Sequence, residues 1–145
     1  MNTLDTQSAY AIFGSPAGRM WDLIVTAFSE LLCELEASTR DGFPALKVTY
    51  TELDTVATIT CLTREIELLL KPQYLGNALY GHVQICELKS RQKSKQFGAF
   101  LIRRDGLYDC SGEAIVKFSA FSNEATLYLL NRVYSVMKAA PNLEE

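Results

Sequence analysis

Residues 44–70 read PALKVTYTELDTVATITCLTREIELLL, and their period decides the fold class. Leu46, Val48 and Tyr50 alternate with Lys47 and Thr49. Ala57, Ile59 and Cys61 alternate with Thr58 and Thr60, and Ile66, Leu68 and Leu70 alternate with Glu65 and Glu67. Side chains on a strand point to opposite faces in turn, so this pattern predicts strands with one buried and one wet face. The links, Glu52-Leu53-Asp54 and Leu62-Thr63-Arg64, are short. Short links predict antiparallel hairpins, because a parallel pair needs a crossover of a dozen residues or more. Pro72 is read as the end of the third strand, since proline cannot donate to a ladder.

Downstream, the stretch from Lys71 to Gly81 reads as a longer connection with room for one helical turn. Residues 82–89 read as a strand, and SRQKSKQ (90–96) as the turn that follows it. Asp105-Gly106 between apolar runs is a hairpin signal, because a type I′ turn requires two residues tolerant of positive φ. That register places Arg103 opposite Tyr108 and Leu101 opposite Cys110. Residues 113–121 read as the last strand, with Ala114, Val116, Phe118 and Ala120 on one face.

Helical periodicity brackets this β region. Trp21, Ile24, Phe28, Leu31 and Leu35 recur at spacings of three and four and predict a helix over 16–38. Ser15 is its expected N-cap, with Pro16 at the first helical position. A second helix is predicted over 123–140, with an apolar stripe of Leu127, Leu130, Val133 and Met137. Glu124 and Lys138 suit its dipole ends. Residues 1–13 read as an uncertain arm or short strand, and 141–145 as a tail. The expectation is a single α+β domain over 1–145. Its antiparallel sheet of five to seven strands, mostly a meander over 44–121, is packed on one face by an N-terminal and a C-terminal helix.

Composition bounds the function. The chain has 145 residues, 48% hydrophobic and 21% charged, with a formal net charge of −3. A basic excess is the usual footprint of a nucleic-acid binder, so nucleic acid is not favoured. The N-terminal stretch has no basic start or long apolar run, and no stretch approaches the roughly 18 apolar residues of a membrane span. The expectation is a cytoplasmic protein with no membrane association. Cys33, Cys61, Cys86 and Cys110 are separated by 28, 25 and 24 residues. No close ligand pair is present for a zinc ribbon or finger, and the cysteines read as buried free thiols.

No catalytic or metal constellation emerges, and no cofactor is implied. His82 is the single histidine, which excludes a multi-histidine metal centre. Cys86, four residues along the same predicted strand, would lie about 13 Å away, too far for a side-chain hydrogen bond. Glu65/Glu67 and Glu34/Glu36 read as solvated faces. GSPAG (14–18) precedes a helix but lacks the residues of a P-loop or a dinucleotide fingerprint. Phe97-Gly98-Ala99-Phe100 echoes the centre of an RNA-binding motif, but the element order does not fit that fold.

The one concentration of charge is KSRQKSKQFGAFLIRRDG (89–106), which holds six of the chain's 14 basic residues. Lys89, Arg91, Lys93, Lys95, Arg103 and Arg104 are the candidate anion or partner contacts. The reading divides them into lysines at a turn and two arginines at the far end of the following strand, about 20 Å apart. The leading functional expectation is a non-enzymatic binding or protein-interaction module, chaperone-like or regulatory, with self-association as one form. The alternative is binding of a small anionic ligand or nucleic acid through the basic hairpin loop. In element order alone the chain is similar to small bacterial secretion chaperones, dimers that hold an unfolded partner segment. It departs from them in a middle helix that is weak or absent and in the strands crowded into its second half.

Overall fold

The structure is a computed structural model, and it describes residues 5–50, 55–89, 92–118 and 123–140. Helices α1 (Thr6–Phe13) and α2 (Ser15–Gly42) lead. Seven strands follow: β1 (Leu46–Tyr50), β2 (Val56–Cys61), β3 (Arg64–Leu75), β4 (Ala78–Lys89), β5 (Gln92–Arg103), β6 (Gly106–Tyr108) and β7 (Ala114–Lys117). Helix α3 (Glu124–Lys138) closes the chain. The strands form one sheet in the order β1 to β7, every neighbouring pair antiparallel. The α+β class and the meander expected from period-two alternation are therefore present.

One face of the sheet makes the core. Ile24, Phe28, Leu31 and Leu35 of α2 are buried, at the spacing read from the sequence. They meet alternate strand residues: Ala57 and Ile59, Ile66, Leu68 and Leu70, Val83 and Ile85, Phe100 and Ile102. Leu129, Val133 and Val136 of α3 complete the core. The methyl carbons of Ile24, Leu70 and Ile102 converge on Gly81, while Phe100 meets Tyr128 of α3 edge-on at 5.4 Å. Ile102 and Phe100 are two residues apart on β5, so both helices lie against the same face.

Arg64 and Glu87 close this face at one end. Arg64 Nε and Nη2 donate to Glu87 Oε2 and Oε1 at 2.6 and 2.8 Å. Arg64 Nη1 also donates to the carbonyls of Ala139 (2.9 Å) and Met137 (3.3 Å). Those carbonyls end α3, where the helix leaves acceptors without intrahelical donors. One guanidinium thus pairs a buried carboxylate and caps a helix.

Several sequence expectations are corrected. The N-terminal arm is helix α1, started by Asp5, whose carboxylate accepts from Ser8 N–H at 2.6 Å. Gly14, not Ser15, is the N-cap of α2, and it makes no side-chain cap bond. The helix runs on to Gly42 rather than stopping at 38. The expected long connection at 71–81 is instead part of a continuous hairpin that turns at Gly76-Asn77. Pro72 lies inside β3. Leu70 N–H reaches Thr55 on the β2 side, so Pro72, two residues on, points its missing donor the same way. The β3–β4 ladder, in which Pro72 pairs with Gly81, therefore loses no bond at the proline.

The basic segment also differs. Lys93 and Lys95 belong to β5, not to a turn; Arg91 lies outside the described residues. Two register shifts interrupt β4–β5, and at one of them Phe97 and Gly98 together oppose Ile85. Gly98 takes φ +108°, open to glycine because a Cβ would be strained there. The β5–β6 hairpin turns on Arg104-Asp105 with Arg103 opposite Gly106 and Leu101 opposite Tyr108. The expected pairing is off by two residues in summed register, which preserves the faces but changes the partners. Neither turn residue has positive φ, so this is no type I′ turn. β7 stops at Lys117, and of its predicted inward residues Val116 is buried while Ala114 is exposed. The predicted Ala120 lies outside the described residues. On α3, Leu127 is exposed and Leu129 takes the core position instead.

Candidate functional site

Among the described residues the candidate cations do not converge. Lys89 ends β4, half-buried, in register with Gln92. Lys93 is in register with Leu88; its side chain and Arg91 lie outside the described set. Lys95 is exposed, with its ammonium 4.9 Å from the Phe97 ring centroid. Arg103 and Arg104 stand at the opposite end of the twelve-residue strand. At about 3.3 Å per residue, Lys95 and Arg103 are some 26 Å apart along β5. Among the described residues Lys89 and Lys95 stand apart from the two arginines, as read from the sequence, while Lys93 and Lys95, expected in a loop, are on a strand.

The arginine end is the more elaborate. Arg103 lies over Tyr80 (5.0 Å), Tyr80 meets Tyr108 edge-on (5.5 Å), and Lys117 lies over Tyr108 (5.0 Å). Arg103 therefore leans on Tyr80, not on Tyr108 as the expected register implied. Tyr108 donates to Asp105 Oδ1 at 2.6 Å, and Lys117 Nζ donates to the Tyr108 oxygen at 3.0 Å. The Tyr108 hydroxyl first, then the Lys117 charge, hold the Asp105 carboxyl below its ordinary 3.8. The Tyr108 hydroxyl first, then Asp105, raise the Lys117 ammonium. Alternating cations and rings lock this corner of the outer sheet face together.

Beside it runs a groove. One hollow, of about 170 Å³, is lined by Ala11 of α1, Pro16, Ala17 and Met20 of α2, the β3–β4 hairpin end and Arg103. A second, of about 220 Å³, is lined by Met20, Leu23, Arg103, Arg104 and Asp105. Met20 and Arg103 belong to both, so the hollows adjoin and share an apolar wall, while the Arg103 guanidinium itself turns away over Tyr80. Helix α1 borders it, held by the Tyr74 hydroxyl donating to the Ile12 carbonyl. None of its residues is buried, and Tyr10 and Phe13 are 59% and 76% exposed. A third hollow of about 130 Å³ lies between α2 and α3, lined by Glu30, Glu34, Arg104 and Lys117 among others. These three volumes are below the roughly 300–1,000 Å³ typical of small-molecule sites, while an open hollow on α2 lined by Val25, Thr26, Ser29, Glu30, Cys33 and Glu34 reaches about 450 Å³.

The remaining sequence candidates stay dispersed. His82 is half-buried on the outer sheet face, in register with Lys71 and Leu101. Glu65 and Glu67 share that face, half-buried, opposite Leu88 and Cys86. Among the described residues no group of three or more His, Cys, Asp or Glu is placed to hold a metal. All four cysteines are free thiols, but only Cys86 is buried; Cys33 and Cys110 are exposed, contrary to the expectation. Leu62 sits exposed in the β2–β3 turn. Leu69 and Leu88 are separated by the row of Thr58, Glu67, Cys86 and Gln96, so these leucines make no single patch.

The groove was not legible because it depends on α1, and residues 9–13 (AYAIF) carry neither a clear 3.6 nor a clear 2 period. The available signal was Asp5 followed three residues later by Ser8, a capping arrangement that marks a helix start. Among the described residues no helix is long and apolar enough to cross a membrane. Compared with protein-family models, with curated proteins and with solved structures, the chain matches none.

Proposed function

We propose that this is a non-enzymatic protein-binding module that receives a segment of a partner protein in the groove at the α1–α2 elbow. The observation that carries the reading is the exposure of α1. An eight-residue helix is marginal in water on its own. This one nevertheless turns Tyr10 and Phe13 outward instead of burying them. Apolar side chains presented together beside a groove mark an interaction surface. The shallow shape suits an extended or helical segment better than a compact ligand.

The test is peptide selection from a random library against the full chain. The selected peptides are then measured against Phe13→Ser and Met20→Glu, with Leu62→Ser as an exposed apolar control elsewhere. Selected peptides should lose binding to the first two variants and keep it with the third. Equal binding to all variants would sink the groove assignment. Light scattering supplies a second arm. A stable dimer that Phe13→Ser dissociates would assign this surface to self-association instead.

A further inference from the structure

We infer that the chain self-associates along the open edge of β1, two copies pairing this strand antiparallel about a two-fold axis at Val48, so that their sheets run on as one. Among the described residues β1 ends the sheet, with β2 as its strand neighbour. The hydrogen-bonding phase of the edge follows from the ladder. The Ala45 carbonyl accepts from Leu62 N–H, and this pair continues the β1–β2 register. Residues 45, 47 and 49 therefore direct their backbone groups toward β2, and residues 46, 48 and 50 direct theirs outward. Leu46 N–H is taken by the Phe43 carbonyl. The Val48 N–H and carbonyl, the Leu46 carbonyl and the Tyr50 N–H face away from the sheet. Such a row is a template for another strand.

The two edges of the sheet are not alike. β7 has four residues, and Ile115 is skipped in its ladder with β6, a bulge that blunts that edge. β1 pairs with β2 over all five of its residues without a shift. It is also self-complementary. Val48 is buried in the core and Leu46 packs against it, while Lys47 and Thr49 are exposed on the outer face. An axis at Val48 sets Leu46 opposite Tyr50 and Lys47 opposite Thr49, which keeps the core face of each copy continuous with that of the other. Val48 exchanges both backbone bonds with its counterpart, and Tyr50 N–H reaches the Leu46 carbonyl of the other copy in both directions. A slip that moved the axis to Lys47 would set two ammoniums directly opposite each other. One that moved it to Thr49 would leave Leu46 beyond the end of the described strand. The patch thus fits itself, as an isologous contact requires. β1 lines neither hollow of the groove, so this contact is independent of the groove reading.

The experiment is sedimentation equilibrium of the full chain from micromolar to millimolar concentration, because so short an edge makes a small and weak contact. Thr49→Lys sets ammonium opposite ammonium on both sides of the axis and should raise the dimer dissociation constant about fivefold. Thr49→Glu sets a carboxylate against each Lys47 and should lower the constant by about as much. Both variants lose the same hydroxyl bond to the Thr58 carbonyl, so the contrast between them reads charge. Val48→Pro removes an N–H that β2 does not use, and it should abolish the dimer while the monomer keeps its far-UV circular dichroism. If that variant does not fold, the Thr49 pair decides. A chain that is monomeric across the range overturns the inference, and so does a dimer that responds alike to the two Thr49 variants. A dimer that Phe13→Ser dissociates places the contact at the α1–α2 elbow and overturns it too.

Discussion

Replacing Arg64 by Met tests how the helix layer is fastened to the sheet. The side chains of Arg64 and Glu87 are 11% and 6% exposed, so the pair is nearly out of water. Met keeps much of the apolar stem but removes a bidentate pair at 2.6 and 2.8 Å. It also removes the donor to the Ala139 and Met137 carbonyls. Removing one member of a buried pair costs about 3–5 kcal/mol. In a chain this size each kcal/mol is worth roughly 2–4 °C in Tm, so the expected fall is about 6–20 °C. Urea unfolding followed by far-UV circular dichroism measures the loss directly. Arg64→Met/Glu87→Leu should be less damaging than the sum of the two single variants by about 2 kcal/mol or more, because the two side chains bond each other directly. A single-variant loss below about 1 kcal/mol, with additive behaviour in the cycle, would refute the argument. The pair would then behave like an exposed one.

Gly81→Ala should cost about 1–3 kcal/mol in chemical denaturation. Its Cβ would stand 2.5, 2.7 and 2.9 Å from methyl carbons of Leu70, Ile24 and Ile102, all in the packed core. Tyr108→Phe removes the main donor to Asp105, so the carboxyl titration followed by NMR should move up toward 3.8; an unmoved midpoint contradicts the assignment. The sign for stability follows. A depressed carboxyl stabilises above its unfolded pKa and loses that contribution as pH falls through its folded value. Tyr108→Phe should therefore flatten the acid limb below about pH 4, by less than about 1 kcal/mol because the Asp105 side chain is 61% exposed. Leu62→Asn should stabilise by about 0.5–1 kcal/mol in thermal melts. Leu62 is held at φ +58° and is 69% exposed, a conformation asparagine tolerates better at no cost in burial.

Where a residue's environment is set by one element, the sequence was a sufficient guide. Ile24, Phe28, Leu31 and Leu35 are buried because a helix on a sheet has one inner stripe, and their spacing shows it. Ile59, Ile66 and Leu68 are buried for the equivalent reason in strands. The misses occur where two elements jointly decide. Pro72 stays inside β3 because the place of its missing donor faces away from the β4 ladder, and nothing near Pro72 encodes which neighbour each residue of β3 faces. Arg103 rests on Tyr80, a neighbour on β4 rather than on the hairpin partner to which the Asp-Gly signal drew attention. The arginine half of the candidate site was therefore nameable by residue. Its apolar half, formed with α1 and the start of α2, was not.

The order of the sheet has a consequence for how the chain reaches this state. Each strand pairs only with its neighbours in sequence, so every hairpin closes a short loop at small entropic cost. The distant closures belong to the helices: Arg64 meets carbonyls 73 and 75 residues further on. Folding speed falls as the sequence separation of contacts grows, so the meander is expected to zip early and the docking of α3 to come late. In a chain emerging from the ribosome the sheet would then wait, partly uncovered, until its last helix is made. A protein truncated before Glu124 should hold strand structure yet bind an apolar dye, and one that binds none would show that the sheet closes without α3.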